Sequence, residues 1–346
     1  MTETYIVYEN PAMQERLEVQ APIRSLVDVQ ELARELGIPD YTDLDGFQIR
    51  KAVVAIWACK HPERFAANES PEPFKVALFG GGAFKLHCPS ANKGPFARKI
   101  GDVDFATLKE NGKHLVEILC GLSDKCGNMF YHGIPATDKR FNALRAHSRY
   151  RLRTIKDLDA NGVPLPGILD IFCDQLVFCH KLDVREELKE ANGNCYTIGL
   201  ENMLIAKAQM IKHAPKQTAN LDQNRILGEF DDRHLLLGME TKDLQDVAAE
   251  LLDHEIGDGP DKINLDVLGP KLKQNWGIWK TVTMNLRNMH QKLPSIISTF
   301  GGQKEQEQII EERLAKILEA IDGRYAARKS LSLGKQWWED VEEQAL

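Results

Sequence analysis

The chain has 346 residues, of which 43% are hydrophobic and 27% charged, proportions that exclude wholesale disorder. Its 44 lysines and arginines against 51 aspartates and glutamates leave a net charge of −7. That balance excludes non-specific coating of nucleic acid and leaves only local basic patches to grip phosphates. The longest wholly apolar run, residues 52–59, is far below the ~20 residues of a membrane span. No basic region followed by an apolar stretch opens the chain, so no secretory signal is expected. Seven cysteines are an odd number in a chain large enough to build a core without disulfide staples. The expectation is a cytoplasmic protein in a reducing compartment.

The first 65 residues read as a helical region. Leu26, Val29, Leu32, Ala33 and Leu36 form one helical stripe, with Ser25 as the start signal and Gly37 as the stop. A second helix is predicted from Asp45 to about Cys59, with Pro62 limiting it. Residues 66–73 are polar and proline-bearing, a linker. A mixed α/β (α+β) domain is predicted over 66–185, in three steps. First, residues 74–79 make an apolar strand that runs into Gly80, Gly81 and Gly82 and then a helix. Next, residues 100–108 alternate as a strand, with Ile100, Asp102 and Asp104 on one side. Last, the segments around Arg149–Arg153 and around Asp170 form a hairpin through a turn at 159–162. Residues 186–346 return to helical spacing in four segments, beginning near Leu200, Leu244, Gly277 and Glu305. The charge-rich stretch 304–312 reads as a solvated helix face.

Three features of the middle region carry chemistry. A glycine triplet after a strand lets a ligand approach the backbone, and the N–H groups of the following helix face an anion; a tight turn explains the same triplet. Asp102 and Asp104 are two apart, so on a strand their carboxylates converge and suit a hard cation; a pair of solvated acids at a strand end is the plainer reading. Asp170 is a charge in the apolar run 167–172. Buried there it costs several kcal/mol unless it is hydrogen-bonded, paired or metal-bound.

Phe79-Gly80-Gly81, Asp102-Val103-Asp104 and Asp170 together resemble the signature of the polymerase-beta-like nucleotidyltransferase superfamily. Arg98, four residues before Asp102, makes the pattern most like the abortive-infection toxin branch of minimal nucleotidyltransferases. The resemblance implies a mixed-sheet nucleotidyltransferase core flanked by helical N- and C-terminal regions. It also implies transfer of a nucleoside monophosphate from an NTP, ATP among them, to a hydroxyl acceptor such as RNA. On that reading two Mg²⁺ ions are held by Asp102, Asp104 and Asp170, and Gly80, Gly81, Gly82 and Arg98 bind the nucleotide. Lys207 sits in the apolar stripe of Leu200, Met203, Leu204 and Ile211. It would neutralise the triphosphate, or else snorkel to water as any lysine on an amphipathic helix does. Asp231-Asp232-Arg233 matches a later element of the branch. Membership of the toxin branch implies growth inhibition and a neutralising partner protein in a toxin–antitoxin pair. Two other readings use the same residues: a non-catalytic nucleotide- or RNA-binding module, and a metal-dependent phosphohydrolase.

One further feature stands without a family. Residues 139–156 carry seven basic residues and no acid, and Arg149, Arg151 and Arg153 alternate along a strand. Such a row suits the phosphates of a triphosphate or an RNA acceptor, and equally an exposed sheet face balanced by nearby acids. Cys120 and Cys126, and Cys173 with Cys179 and His180, lack a second compact pair for zinc and read as buried thiols.

Overall fold

The computed structural model describes residues 46–60, 62, 73–126, 139–158, 164–190, 197–213, 229–230 and 235–328. The expected helix at 26–36, most of the 66–73 linker, the 159–162 turn and Asp231-Asp232-Arg233 lie outside the described residues. In chain order the first part runs α1 Gly46–Lys60, β1 Val76–Phe79, α2 Gly80–His87, β2 Asp104–Thr107, α3 Lys109–Cys126 and α4 Lys139–Arg145. It continues through β3 Arg149–Leu158, β4 Pro164–Cys173, β5 Gln175–Val177, β6 Lys181–Asp183 and α5 Arg185–Glu190. The rest is α6 Leu200–Ala208, β7 Ile211–His213, β8 Glu229–Phe230, β9 Leu235–Leu237, α7 Thr241–Asp253, α8 Leu265–Gln274, α9 Trp276–Gln291, α10 Leu293–Phe300 and α11 Lys304–Asp322. The class is mixed α+β, as expected. Among the described residues no helix is long and apolar enough to cross a membrane.

The chain divides into two units. The sheet unit comprises Met1–Gly82, Lys99–Gln175 and Asp183–Ile198, and the helical unit comprises Ala83–Arg98, Leu176–Leu182 and Gly199–Leu346. The sheet unit is built on one four-stranded sheet of order β1-β2-β4-β3. β1 runs antiparallel to β2, β2 parallel to β4, and β3 antiparallel to β4. The expected hairpin is therefore present as the β3–β4 pair.

Because side chains alternate across a pleated strand, the sheet has two unlike faces. One face, carrying Leu78, Phe105, Leu152, Leu169 and Ile171, is fully buried. On this side lies α3, brought close at Gly112, where a Cβ would stand 2.7 Å from Cys173 Sγ and 2.8 Å from Tyr150 Cε2. The other face carries the charged residues of the site.

Two local differences from the sequence reading have clear causes. The strand around Asp170 does not run on to Val177. Asp174 takes φ 64°, a left-handed conformation that aspartate tolerates better than most residues. Its carboxylate accepts from the Lys109 N–H at 2.9 Å, its N–H donates to Thr107 O, and its carbonyl accepts from Val184. The helix beginning at Leu200 stops at Ala208, so Ile211 lies in β7 rather than on a helical stripe. The Asn285 side-chain amide donates to both Ala208 O and Met210 O at 2.8 Å, satisfying carbonyls that a continuing helix would have used.

In the helical unit the hydrophobic core is formed by Met203, Leu204, Leu244, Val247, Leu251, Val282, Leu286, Leu314 and Ile317, among others. α9 packs against α11 and α6, and α7 against α6 and α11. The charge-rich start of α11 is solvated except at Glu307, which is 8% exposed and paired with Lys304.

Candidate functional site

The strand register brings the three separated motifs of the sheet unit into one transverse row. Phe79 pairs with Asp104, Asp104 with Asp170, and Asp170 with Arg151. Directly paired residues point to the same face, so Asp104, Asp170 and Arg151 stand side by side at the strand spacing of ~4.8 Å. The adjacent row is Ala77, Ala106, Phe172 and Arg149. The rings of Phe79 and Phe172 meet edge to face at 5.0 Å on this side of the sheet.

Gly80 closes the acid end of the row. It has φ 65°, and a Cβ there would meet Asp104 Oδ2 at 3.2 Å, so both conformation and space favour glycine. Gly82 serves packing, since a Cβ on it would come within 3.0 Å of the Leu78 side chain. Gly81 lies between them in the first turn of α2. Asp104 is the first residue of β2 and half-buried, and Asp102 lies just before the strand and is exposed. Strand pairing thus begins later than the alternation from Ile100 predicts.

Asp170 meets the cost of burial with two guanidiniums. Arg151 Nε donates to Oδ1 at 2.9 Å and its Nη2 to Oδ2 at 3.2 Å, while Arg149 Nη2 donates to Oδ2. Phe141 lies 4.0 Å from the Arg151 guanidinium, and Phe172 lies 4.3 Å from that of Arg149. Arg153, two further along, is exposed. The basic strand predicted from the sequence therefore sends two of its three arginines to the acid of the neighbouring strand.

A divalent cation would find hard carboxylate oxygens here, the donor chemistry Mg²⁺ selects. Among the described residues, however, no group of three or more His, Cys, Asp or Glu side chains is placed to hold a metal ion. Asp170 is turned to the arginines, which leaves half-buried Asp104 and exposed Asp102 as the carboxylates such a cation would use. A separate cavity of about 610 Å³, lined by Phe74, Lys75, Leu108, Asn111, His114 and Leu188 among others, contains none of these three acids.

The other two sequence-predicted residues lie in the helical unit and meet each other. Arg98 holds Asp246 with two bonds of 2.7 Å, from Nε to Oδ1 and from Nη2 to Oδ2. Lys207 Nζ stands 2.9 Å from both Asp243 Oδ1 and Asp246 Oδ2. Burial alone would lower the lysine's proton affinity, but the two carboxylates outweigh it and hold the ammonium charged beyond the ordinary lysine range. Burial would likewise raise Asp246, yet Lys207 and Arg98 hold it below the usual carboxylate range.

Sequence reasoning missed the acids of this cluster. Asp243 and Asp246 recur with Glu250 and Asp253 along α7 at helical spacing, a stripe visible in the sequence but not singled out there. Glu250 is fully buried and neither carboxylate oxygen has a hydrogen-bond partner. Burial, reinforced by Glu201 and Asp246, pushes its carboxyl well above the ordinary range.

The described cysteines 59, 88, 120, 173 and 179 form no disulfide. Burial pushes Cys173 up to about 12, the opposite of a reactive thiolate. His180, buried and bonded through Nε2 to Thr281 Oγ1 at 2.8 Å, is pushed down to about 4 by burial. No known protein family, no curated protein and no solved structure matches this chain, so the reading of its site rests on the geometry of the row.

Proposed function

We propose that the chain is a metal-dependent nucleotidyltransferase that moves a nucleoside monophosphate from an NTP to a hydroxyl acceptor. The observation that carries this reading is the transverse row, which runs from a glycine turn through Asp104 and Asp170 to Arg151. Its acid end suits a cation and its arginine end suits phosphate, which matches the charge pattern of a metal-bound triphosphate. The acceptor oxygen would form a bond to the α-phosphorus as the bond to the β-phosphate oxygen breaks, releasing pyrophosphate and the hydroxyl proton. Asp102 and Asp104 would hold the Mg²⁺, which neutralises charge on the phosphoryl oxygens when bound. Gly80 leaves room beside the Asp104 carboxylate, since a side chain there would press on Oδ2. The arginine end would take up negative charge as pyrophosphate departs.

The test is incubation with each labelled NTP, Mg²⁺ and total RNA or lysate, followed by identification of what becomes labelled. Asp104→Asn and Asp102→Asn should each lower transfer at least ~100-fold, because a lost metal ligand removes several kcal/mol of transition-state stabilisation. Both variants should fold, since removing one of two neighbouring acids relieves repulsion. Transfer by Asp104→Asn at the wild-type rate overturns the reading. Free phosphate released without any labelled acceptor replaces it with hydrolysis.

A further inference from the structure

We propose that Arg149 is a phosphate-binding residue held in reserve on Asp170, from which it passes to the phosphoryl oxygens of a triphosphate while Arg151 remains to neutralise the acid. The choice of a triphosphate as the ligand rests on the transfer reading; the reserve arrangement itself rests on the geometry around Asp170.

Two guanidiniums meet one carboxylate, and they are not equivalent. Arg151 engages both oxygens of Asp170, which is enough to satisfy a buried acid. Its side chain is 7% exposed, against 20% for Arg149. The main chain at Arg151 is pinned from α4, where Asn142 Oδ1 accepts from the Arg151 N–H at 2.7 Å and Asn142 Nδ2 donates to its carbonyl at 3.0 Å. Arg151 is therefore the fixed member of the pair.

Arg149 is built differently. It donates to Asp170 through Nη2, while its Nε is buried with no acceptor. A buried guanidinium N–H without a partner is unusual, and a phosphate oxygen is the acceptor that arginine's planar fork fits best. The Phe172 ring, 4.3 Å from the guanidinium, forms a platform on which the group can pivot without losing its cation–π contact. When Arg149 leaves, Asp170 keeps Arg151, so the exchange strands no buried charge. The carboxylate thus competes with the ligand for Arg149 and weakens ligand binding by the fraction of time it holds the side chain.

The experiment measures binding of inorganic tripolyphosphate to the full chain by calorimetry, in the presence of a chelator so that no metal contributes. Arg149→Met should weaken binding at least ~10-fold, and Arg149→Lys, which keeps the charge but not the fork, should fall between. Asp170→Asn should tighten binding severalfold, because nothing then holds Arg149 back. An Arg149→Met affinity equal to wild type, a weaker Asp170→Asn, or no wild-type binding at millimolar tripolyphosphate each overturns the proposal. If Asp170→Asn fails to fold, the ranking of the two Arg149 variants decides alone. A single-stranded RNA oligonucleotide is titrated in parallel; dependence on Arg149 for RNA but not for tripolyphosphate overturns the assignment of ligand. Arg149-dependent tripolyphosphate binding without nucleotidyl transfer would leave this inference standing and remove the transfer reading. Transfer that ignores Arg149 does the reverse.

Discussion

In the Lys207 cluster of the helical unit the acids are sealed, with Asp243 and Asp246 only 5% and 2% exposed and Lys207 at 14%. In the sheet unit the Asp170 carboxylate is shared between a buried guanidinium and one that reaches the surface. The first cluster has cations and acids in equal number, two and two, each matched within bonding distance. The second has two cations on a single acid. Sealing and matching charges makes a structural device, since any change of partner strands a charge away from water. Overmatching one acid near the surface makes a device that can exchange partners. The same residue types thus do different work because of exposure and stoichiometry.

The largest effect expected from this contrast is on stability. Asp246→Asn removes the carboxylate that both Arg98 and Lys207 hold, and leaves Lys207 to Asp243. We expect a loss of about 3–5 kcal/mol, as for other broken buried ion pairs, measured by urea unfolding. Arg149→Met in the sheet unit should cost about 1 kcal/mol or less, because Arg151 still satisfies Asp170 and Arg149 is partly solvated. Equal losses in the two variants would break the comparison. The pH dependence has a definite sign. The Asp246 carboxyl lies below its unfolded value of 3.8, so its contribution is present above about pH 4 and is lost as pH falls through the folded value. Asp246→Asn should therefore flatten the acid limb of the stability profile.

Glu250 sharpens the contrast from the other side, because it is a sealed acid with no cation. Its folded proton affinity is raised above the ordinary 4.5, so its contribution is full below that pH and is lost as pH rises towards the folded value. Wherever the unfolded carboxyl is ionised and the folded one is not, folding carries a proton onto it. Glu250→Gln keeps the shape and dispenses with that proton, and should stabilise the protein by about 1–3 kcal/mol at pH 8. The gain should shrink towards zero at pH 4. Thermal melts at the two pH values check this, and an unchanged melting temperature at pH 8 would show that Glu250 is hydrogen-bonded or hydrated in solution.

What could be read from the sequence divides along the same line. The row in the sheet unit was legible because strand periodicity and glycine position are local signals, and Asp104, Asp170 and Gly80 each stand at a strand end or in an apolar run. That Asp170 would be met by Arg149 and Arg151 depends on the β3–β4 register, which the turn signal at 159–162 does not fix. The helical cluster was legible only in halves. Lys207 is a charge on an apolar stripe, but its partners lie 36 residues away at Asp243 and further at Asp246. Arg98, assigned to a nucleotide by its distance from Asp102, meets an acid 148 residues on. The stripe of acids along α7 looks in sequence like any solvated face, because period alone does not say which side is turned inward. The break at Asp174 was hidden for a different reason: an aspartate in a left-handed conformation leaves no glycine to mark it.

The last expected effect returns to the sheet unit and asks whether its row is as exacting as its register implies. Gly80→Ala introduces two penalties. A φ of 65° costs a residue with a Cβ roughly 1–2 kcal/mol, and the new methyl would stand 3.2 Å from Asp104 Oδ2, tighter than ordinary contact. The Asp104 carboxylate is half-buried, so it can give way by a small rotation, and the stability loss should stay near the conformational figure. That same rotation moves the acid out of line with its neighbours in the row. Gly80→Ala is therefore expected to weaken Mg²⁺-dependent stabilisation by an NTP in melting experiments more than its own stability loss suggests. Metal-free tripolyphosphate binding, which depends on the arginine end, should change little. A variant that loses both equally would mean that the acid and arginine ends of the row do not act as separate subsites.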